Sequence, residues 1–381
     1  MPHFDHNATA PLRPAARAAW LEANDTDWAN PGGAYRAAAR VRALIDRERG
    51  RLATLLGAAE ARLVLTSGAT EAANAILAHL AATAPAGALL LGPTEHSCVR
   101  AAATHHFPGR VELLPADRAG VVDRAALGAR LASGGVAAVA VMAANNETGV
   151  LQPWREIAAD CRAAGVPYVC DAVQWLGRLP AAGLGAADFL FASAHKFGGP
   201  KGAGFLLLPD GPAARGFAAQ RGGGQQGGRR AGTEDWPALA ALTAALAEAE
   251  AELAAGDVVG RAGWRDCFEA DLQAALPGVR FAGAEAPRLW NTSLAVLPAG
   301  ESTRWIPKLD RRGFSVSTTA ACAAAQGHGS AVLAALGFAP AETRRALRFS
   351  AGPETTEADW RALAAAVLAV RDEIAAGGPV V

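Results

Sequence analysis

Two short apolar runs, Val166–Cys170 and Asp188–Ala192, constrain this chain more than any other feature, because each ends directly in a polar cluster. Runs this short and this apolar read as strands buried on both faces. The first delivers Asp171 and Gln174 at its carboxyl end, and the second delivers Ser193, His195 and Lys196. Open α/β sheets bind ligands beyond the carboxyl ends of their strands, so both clusters are candidates for a site. Composition adds weight to Lys196. Of 36 basic residues only Lys196, Lys201 and Lys308 are lysine. A guanidinium is always charged, whereas a lysine amine can lose its proton and form an imine. The alternative reading makes Lys196 an ordinary exposed lysine in a Gly-rich loop.

The same order of strand, polar cluster and helix recurs. Arg62–Leu65 leads into Thr66-Ser67-Gly68-Ala69-Thr70-Glu71, where a helix opens, and backbone N–H groups at such a start can hold an anion. Ala88–Leu91 leads into Thr94–Ser97, and Val136–Met142 into Asn145–Gly149. Strands alternating with helices predict an α/β fold built on a mainly parallel sheet. Helices are expected at Ala15–Ala23, Arg36–Leu56, Trp236–Ala254 and Thr355–Ala376. Between the last two, helices near 261–276 and 302–312 alternate with strands near 278–282, 291–297 and 314–317. This gives a large domain over 14–255 and a smaller α+β domain from 1–13 and 256–381.

Several function classes are disfavoured. Formal net charge is zero, so no electrostatic footprint for nucleic acid or an anionic membrane exists. No apolar run approaches the ~18 residues of a membrane helix, and the opening MPHFDHNATAP has no secretory pattern. Cysteines 98, 161, 170, 267 and 322 form no CxxC pair, which argues against a disulfide framework or zinc site and for a reducing cytoplasm. Cys98, Cys161, Cys170 and Cys267 fall in or beside expected core elements. Cys322 stands apart in an Ala/Gly-rich loop between Ser315 and Ser330, where few bulky side chains hold the backbone down.

The Asp-Ala-x-Gln of Asp171–Gln174, followed by Ser-x-His-Lys-x-x-Gly-Pro-Lys-Gly over Ser193–Gly202, resembles the pyridoxal-phosphate (PLP) enzymes of aminotransferase class V. Within them it resembles the cysteine desulfurases. The likeness extends along the chain through Asp5–Pro11, Thr66–Glu71, Glu95-His96, Asn145–Gly149, Arg221–Glu234, Trp290–Ser293, Cys322 and Arg348–Gly352. It implies PLP-dependent transferase fold type I and a PLP cofactor on Lys196. By the same resemblance Asp171 pairs with the pyridinium nitrogen, Gln174 bonds the ring's phenolic oxygen, and His96 lies on the ring. Thr70 with Ala69, Ser193, His195 and a partner's Thr233 would hold the phosphate, which makes the enzyme a homodimer. Arg348 and Asn146 would orient the carboxylate of L-cysteine, and Cys322 would take its sulfur as a persulfide for a sulfur-acceptor protein.

Four stretches depart from that pattern. Gly32-Gly33 stand where serines are usual, Tyr35 where a histidine is usual, Thr318-Thr319 replace serine-glycine, and Ala323–Ala325 replace polar residues. Other class V activities (aminotransferase, selenocysteine lyase or C–S lyase) remain alternatives, as does a non-catalytic interaction protein of the same fold. The acceptor could serve iron–sulfur scaffolds, tRNA thiolation or molybdenum-cofactor sulfuration. The short ending Gly377–Val381 favours a dedicated acceptor over an iron–sulfur scaffold.

Overall fold

Seven strands form one sheet: β1 (Leu63–Thr66), β2 (Ala88–Leu91), β3 (Val111–Leu113), β4 (Val136–Ala140), β5 (Tyr168–Asp171), β6 (Phe189–Ser193) and β7 (Gly204–Leu207). The computed structural model describes residues 2–319 and 329–376, so Cys322 and Gly377–Val381 lie outside the described residues. The strand order is β1-β7-β6-β5-β4-β2-β3. Strands β6, β5, β4, β2 and β3 pair in parallel, and β7 runs antiparallel between β6 and β1. The reversal follows from chain length. A parallel crossover needs about a dozen residues or more, and the Ala194–Ala203 connection is too short to supply one.

Helices cover both faces, which is why the central strands are apolar on both sides. One face carries α1 (Pro14–Thr26), α2 (Arg36–Leu56), α5 (Arg124–Ala132), α6 (Trp154–Ala164) and α7 (Trp236–Ala255). Its core includes Leu52, Leu131, Trp154, Ile157 and Leu246. The other face carries α3 (Ala69–Thr83) and α4 (Ser97–His106), packing Ile76, Leu77 and Phe107 against Phe189 and Phe191.

A second, antiparallel sheet has the order β10-β9-β8, from β8 (Arg280–Phe281), β9 (Thr292–Val296) and β10 (Ala346–Ser350). Behind it lie α8 (Val258–Ala275), α9 (Ser302–Arg311) and α12 (Glu357–Ala376), around Phe268, Trp305, Trp360 and Phe349. Two short helices, α10 (Ala331–Ala335) and α11 (Pro340–Thr343), precede β10. The strand expected over 314–317 does not form; the third strand is Ala346–Ser350. Ser315 bridges only to His3 and Ser317 only to Arg348. With its neighbours each taken by a different segment, 314–317 cannot extend a ladder. The opening residues therefore run along the small sheet, with Phe4 buried and its ring 4.8 Å from that of Trp360. This lays Asp5–Ala8 between the two sheets, where they reach the site.

Candidate active site

Strands β5 and β6 are parallel neighbours, so Asp171 and Ser193 finish at the same sheet edge and Lys196 follows in the next turn. The turn after β4 brings Asn146 to that edge, and the turn after β2 brings His96. Together they line a cavity of about 520 Å³ that also takes in Thr70, Asn7 and, from β10, Arg348.

Lys196 is the centre of this arrangement. Its Nζ donates to the carbonyls of Asn7 and Ala8, both at 2.8 Å. Burial, and then the guanidinium charges of Arg178 and Arg348, push its pKa down to about 8 against the opposing pull of Asp171 and Asp5. Asp171 is buried and moves the other way, with burial raising its pKa to about 6 while the Val173 N–H and Lys196 restrain the rise. Its Oδ1 accepts from that N–H at 2.9 Å. Among the described residues the other carboxylate oxygen accepts no hydrogen bond.

The start of α3 lines the same cavity through Ala69 and Thr70. Ser193 Oγ accepts from the Ala69 N–H at 2.8 Å, tying the helix to the end of β6. Gly68 makes this turn with φ +150°, and a Cβ there would sit 3.1 Å from Ser193 Oγ. Gly204 presses on the same turn, since its Cβ would lie 2.6 Å from Gly68 Cα. Thr70 opens on the cavity, as does His195, whose Nδ1 lies 3.1 Å from Thr9 Oγ1. Burial, then Lys196 and Lys201, lower the His195 pKa to about 4.

Gln174 Nε2 donates to the Asn7 carbonyl at 3.0 Å. His96 caps α4, with Nδ1 accepting from the Cys98 N–H at 3.2 Å. Although the ring opens onto the cavity, crowding by its walls, then Lys196 and Arg348, lowers its pKa to about 4. Arg348 Nη2 pairs with Asp5 at 2.7 Å and Nη1 donates to the Asn146 carbonyl at 3.0 Å, while Nε is buried with no partner among the described residues. Asn146 Oδ1 is likewise buried and unpaired. Thr233 is exposed and lies outside the cavity. Cys322 lies outside the described residues.

Sequence reasoning missed six residues here. Asn7 acts through a backbone carbonyl, which leaves no signature in a side-chain pattern. Asp5 is reached only through the register of the opening segment with β10. Arg178, four residues after Gln174, donates to the His6 carbonyl at 3.1 Å, and burial and Arg348 push its pKa down to about 9. Glu95 accepts from the Met142 N–H at 2.6 Å, and Glu147 accepts from Ser330 Oγ at 2.5 Å. Burial raises the pKa of both carboxyls. Cys98 is not a core thiol but lines the cavity, and Cys267 is exposed, both against expectation. Cys98 stands just ahead of the alanine run 101–103 of α4, which leaves its face unmarked.

These donors suit PLP. The carboxylate of buried Asp171 is what a pyridinium N–H needs, and a depressed lysine amine is what its aldehyde needs. The cradle at Gly68 and the helix start suit its phosphate. No cluster of three or more metal-ligating side chains occurs among the described residues.

Residues 3–363 match the sequence model of the family described as aminotransferase class-V. The chain is 35% identical to a cysteine desulfurase of Cereibacter sphaeroides, over 99% of this chain and 97% of that protein. It is 36% identical to a cysteine desulfurase of Rhodobacter capsulatus, over 98% and 96%. Among solved structures it is similar to a NifS-like protein, with a TM-score of 0.87 and 25% identity over 98% of this chain and 100% of that one. It is also similar to SspA in complex with cysteine, with a TM-score of 0.80 and 25% identity over 93% and 100%.

Proposed function

From the premise that this chain belongs to the class-V aminotransferase family, with fold type I architecture and PLP as cofactor, we propose that it is a cysteine desulfurase. It converts L-cysteine to L-alanine and leaves the sulfur on Cys322 as a persulfide. The observation that carries the site is Lys196: a depressed amine at one strand end beside a buried carboxylate at the next.

When bound, PLP supplies an electron sink conjugated to the amino-bearing carbon of the substrate. Lys196 would hold the cofactor and, as a free amine, would move protons, being already partly neutral near pH 8. Asp171 holds the pyridinium proton through its donor-free oxygen. Thr70, Ala69, Ser193 and His195 hold the phosphate, with Thr233 of the second copy. Gln174 offers its amide to the phenolic oxygen. Arg348 and Asn146 bind the substrate carboxylate, and the buried, unpaired Arg348 Nε is one free donor for that task. Cys322 takes the sulfur, so cysteine and thiol become alanine and persulfide with no outside oxidant.

A homodimer and a sulfur-acceptor protein complete the reading. Exposed Thr233, together with exposed Trp20, Leu21, Trp28 and Tyr35, supports a second copy. The four described cysteines are free thiols and suit a reducing compartment such as the cytoplasm. No helix of the described residues is long and apolar enough to cross a membrane. Cys322→Ser tests the proposal. It should retain PLP and lose alanine formation by several orders of magnitude, as when a covalent nucleophile is deleted. Wild-type turnover by this variant would make the protein a different class V enzyme.

A further inference from the structure

We propose that Cys98 is a positioning residue whose thiol, with its own backbone N–H, holds His96 protonated on Nε2, so that the ring enters the cavity as a hydrogen-bond donor and not as a base. This rests on the reading of the cavity as the substrate site. His96 is an unusual cap for a helix, a place where Ser, Thr, Asp and Asn are preferred. As cap, its Nδ1 faces the first turn of α4, where the Cys98 N–H points at it from 3.2 Å. A backbone N–H can only donate, so it favours a lone pair on Nδ1 and the ring proton on Nε2.

Cys98 Sγ lies 3.0 Å from the same Nδ1. The direction of that contact depends on the charge of the sulfur. A thiolate would draw a proton to Nδ1 and favour the opposite tautomer, whereas a thiol donates weakly to the lone pair. Burial, then Asp171 and Glu95, push the thiol pKa up to about 12, although Thr70 reaches the sulfur as a donor. The sulfur therefore stays protonated near neutral pH and reinforces the backbone. Burial, then the charges of Lys196 and Arg348, keep the ring from taking a second proton near neutral pH. Among the described residues Nε2 has no hydrogen-bond partner, and the ring lines the cavity.

The consequence is a division of roles. A neutral imidazole with its proton on Nε2 cannot accept a proton at the atom facing the cavity. It can donate to an electron-rich atom there, such as the sulfur or a carboxylate oxygen of an amino-acid substrate. Proton abstraction then falls to Lys196.

The test reads the tautomer directly. Cofactor-free protein labelled with 15N-histidine is examined by two-bond 1H–15N correlation, with His96 assigned from the spectrum of His96→Gln. Wild-type protein should show the Nε2–H form, and Cys98→Ser, which keeps a donor, should match it. Cys98→Ala should admit the Nδ1–H form, with the tautomer ratio moving about threefold to tenfold, the scale of one modest hydrogen bond. In loaded enzyme kcat should fall with Cys98→Ala and recover with Cys98→Ser. An Nδ1–H ring in wild-type protein overturns the proposal without any variant, and so does an unchanged ratio in Cys98→Ala. Because the tautomer is read without turnover, a failure of the desulfurase reading leaves the result legible.

Discussion

Asp171→Asn should make the cofactor-free protein more stable while weakening its hold on PLP. Asp171 is 6% exposed and burial lifts its pKa to about 6, against an ordinary value of 3.8. An acid whose pKa is raised by folding is penalised when ionised. The penalty is complete above pH ~6 and disappears as pH falls toward the unfolded value. Two units correspond to roughly 3 kcal/mol near pH 7.5, at about 1.4 kcal/mol per unit. Asparagine keeps an oxygen for the Val173 N–H but adds an unpaired amide, which costs about 1 kcal/mol. The expected net gain is roughly 2 kcal/mol at pH 7.5, and the ionisation component falls by about half at pH 5. Urea unfolding of both cofactor-free proteins, at matched concentration and both pH values, measures it. A neutral or destabilising effect at pH 7.5, or a gain that ignores pH, would refute burial as the source of the cost.

Two other outcomes are expected. Competitive acetylation of cofactor-free protein, read by mass spectrometry on the three lysines, should give Lys196 a midpoint near pH 8. About a quarter of that amine is then free at pH 7.5, and a midpoint of 10 or above would sink the proton-moving role. Sedimentation velocity should show a dimer, and Thr233→Ala should weaken PLP retention without dissociating it. A monomer that holds PLP fully contradicts the shared site.

The candidate site edge is legible because strands and polar clusters adjoin in sequence there. Asp171 and Lys196 each follow an apolar run within a few residues, so calling the strands also placed the site residues. The mainly parallel sheet was readable for the same reason, since alternating strands and helices leave few other topologies. What escaped were features that depend on length or on distant pairing. The antiparallel β7 has the same apolar signature as its parallel neighbours, and only the short connection before it decides its direction. Strand β10 was read as a substrate motif because Arg348 dominated it, while 314–317 carried an alternating pattern with no ladder to join. Asn7, Asp5 and Arg178 became visible only once the opening segment was seen to cross from one sheet to the other.

The crossing matters because of the charge it balances. Burial, and then the neighbouring guanidinium charges, lower the pKa of Lys196 and Arg178. Against them the opening segment brings the carboxylate of Asp5 to Arg348 and two carbonyl oxygens to Lys196. Carbonyls satisfy the donors of an amine without fixing its charge, so Lys196 keeps its hydrogen bonds and still loses its proton near pH 8. A carboxylate in the place of the Asn7 and Ala8 carbonyls would have held the amine charged and poor as a nucleophile. Asp5 does the converse at Arg348, pairing a carboxylate with Nη2 while Nε has no partner among the described residues. One short strand-like segment thus sets a reactive amine beside a fixed cation, and the site depends on the backbone of residues 5–8 as much as on its catalytic side chains.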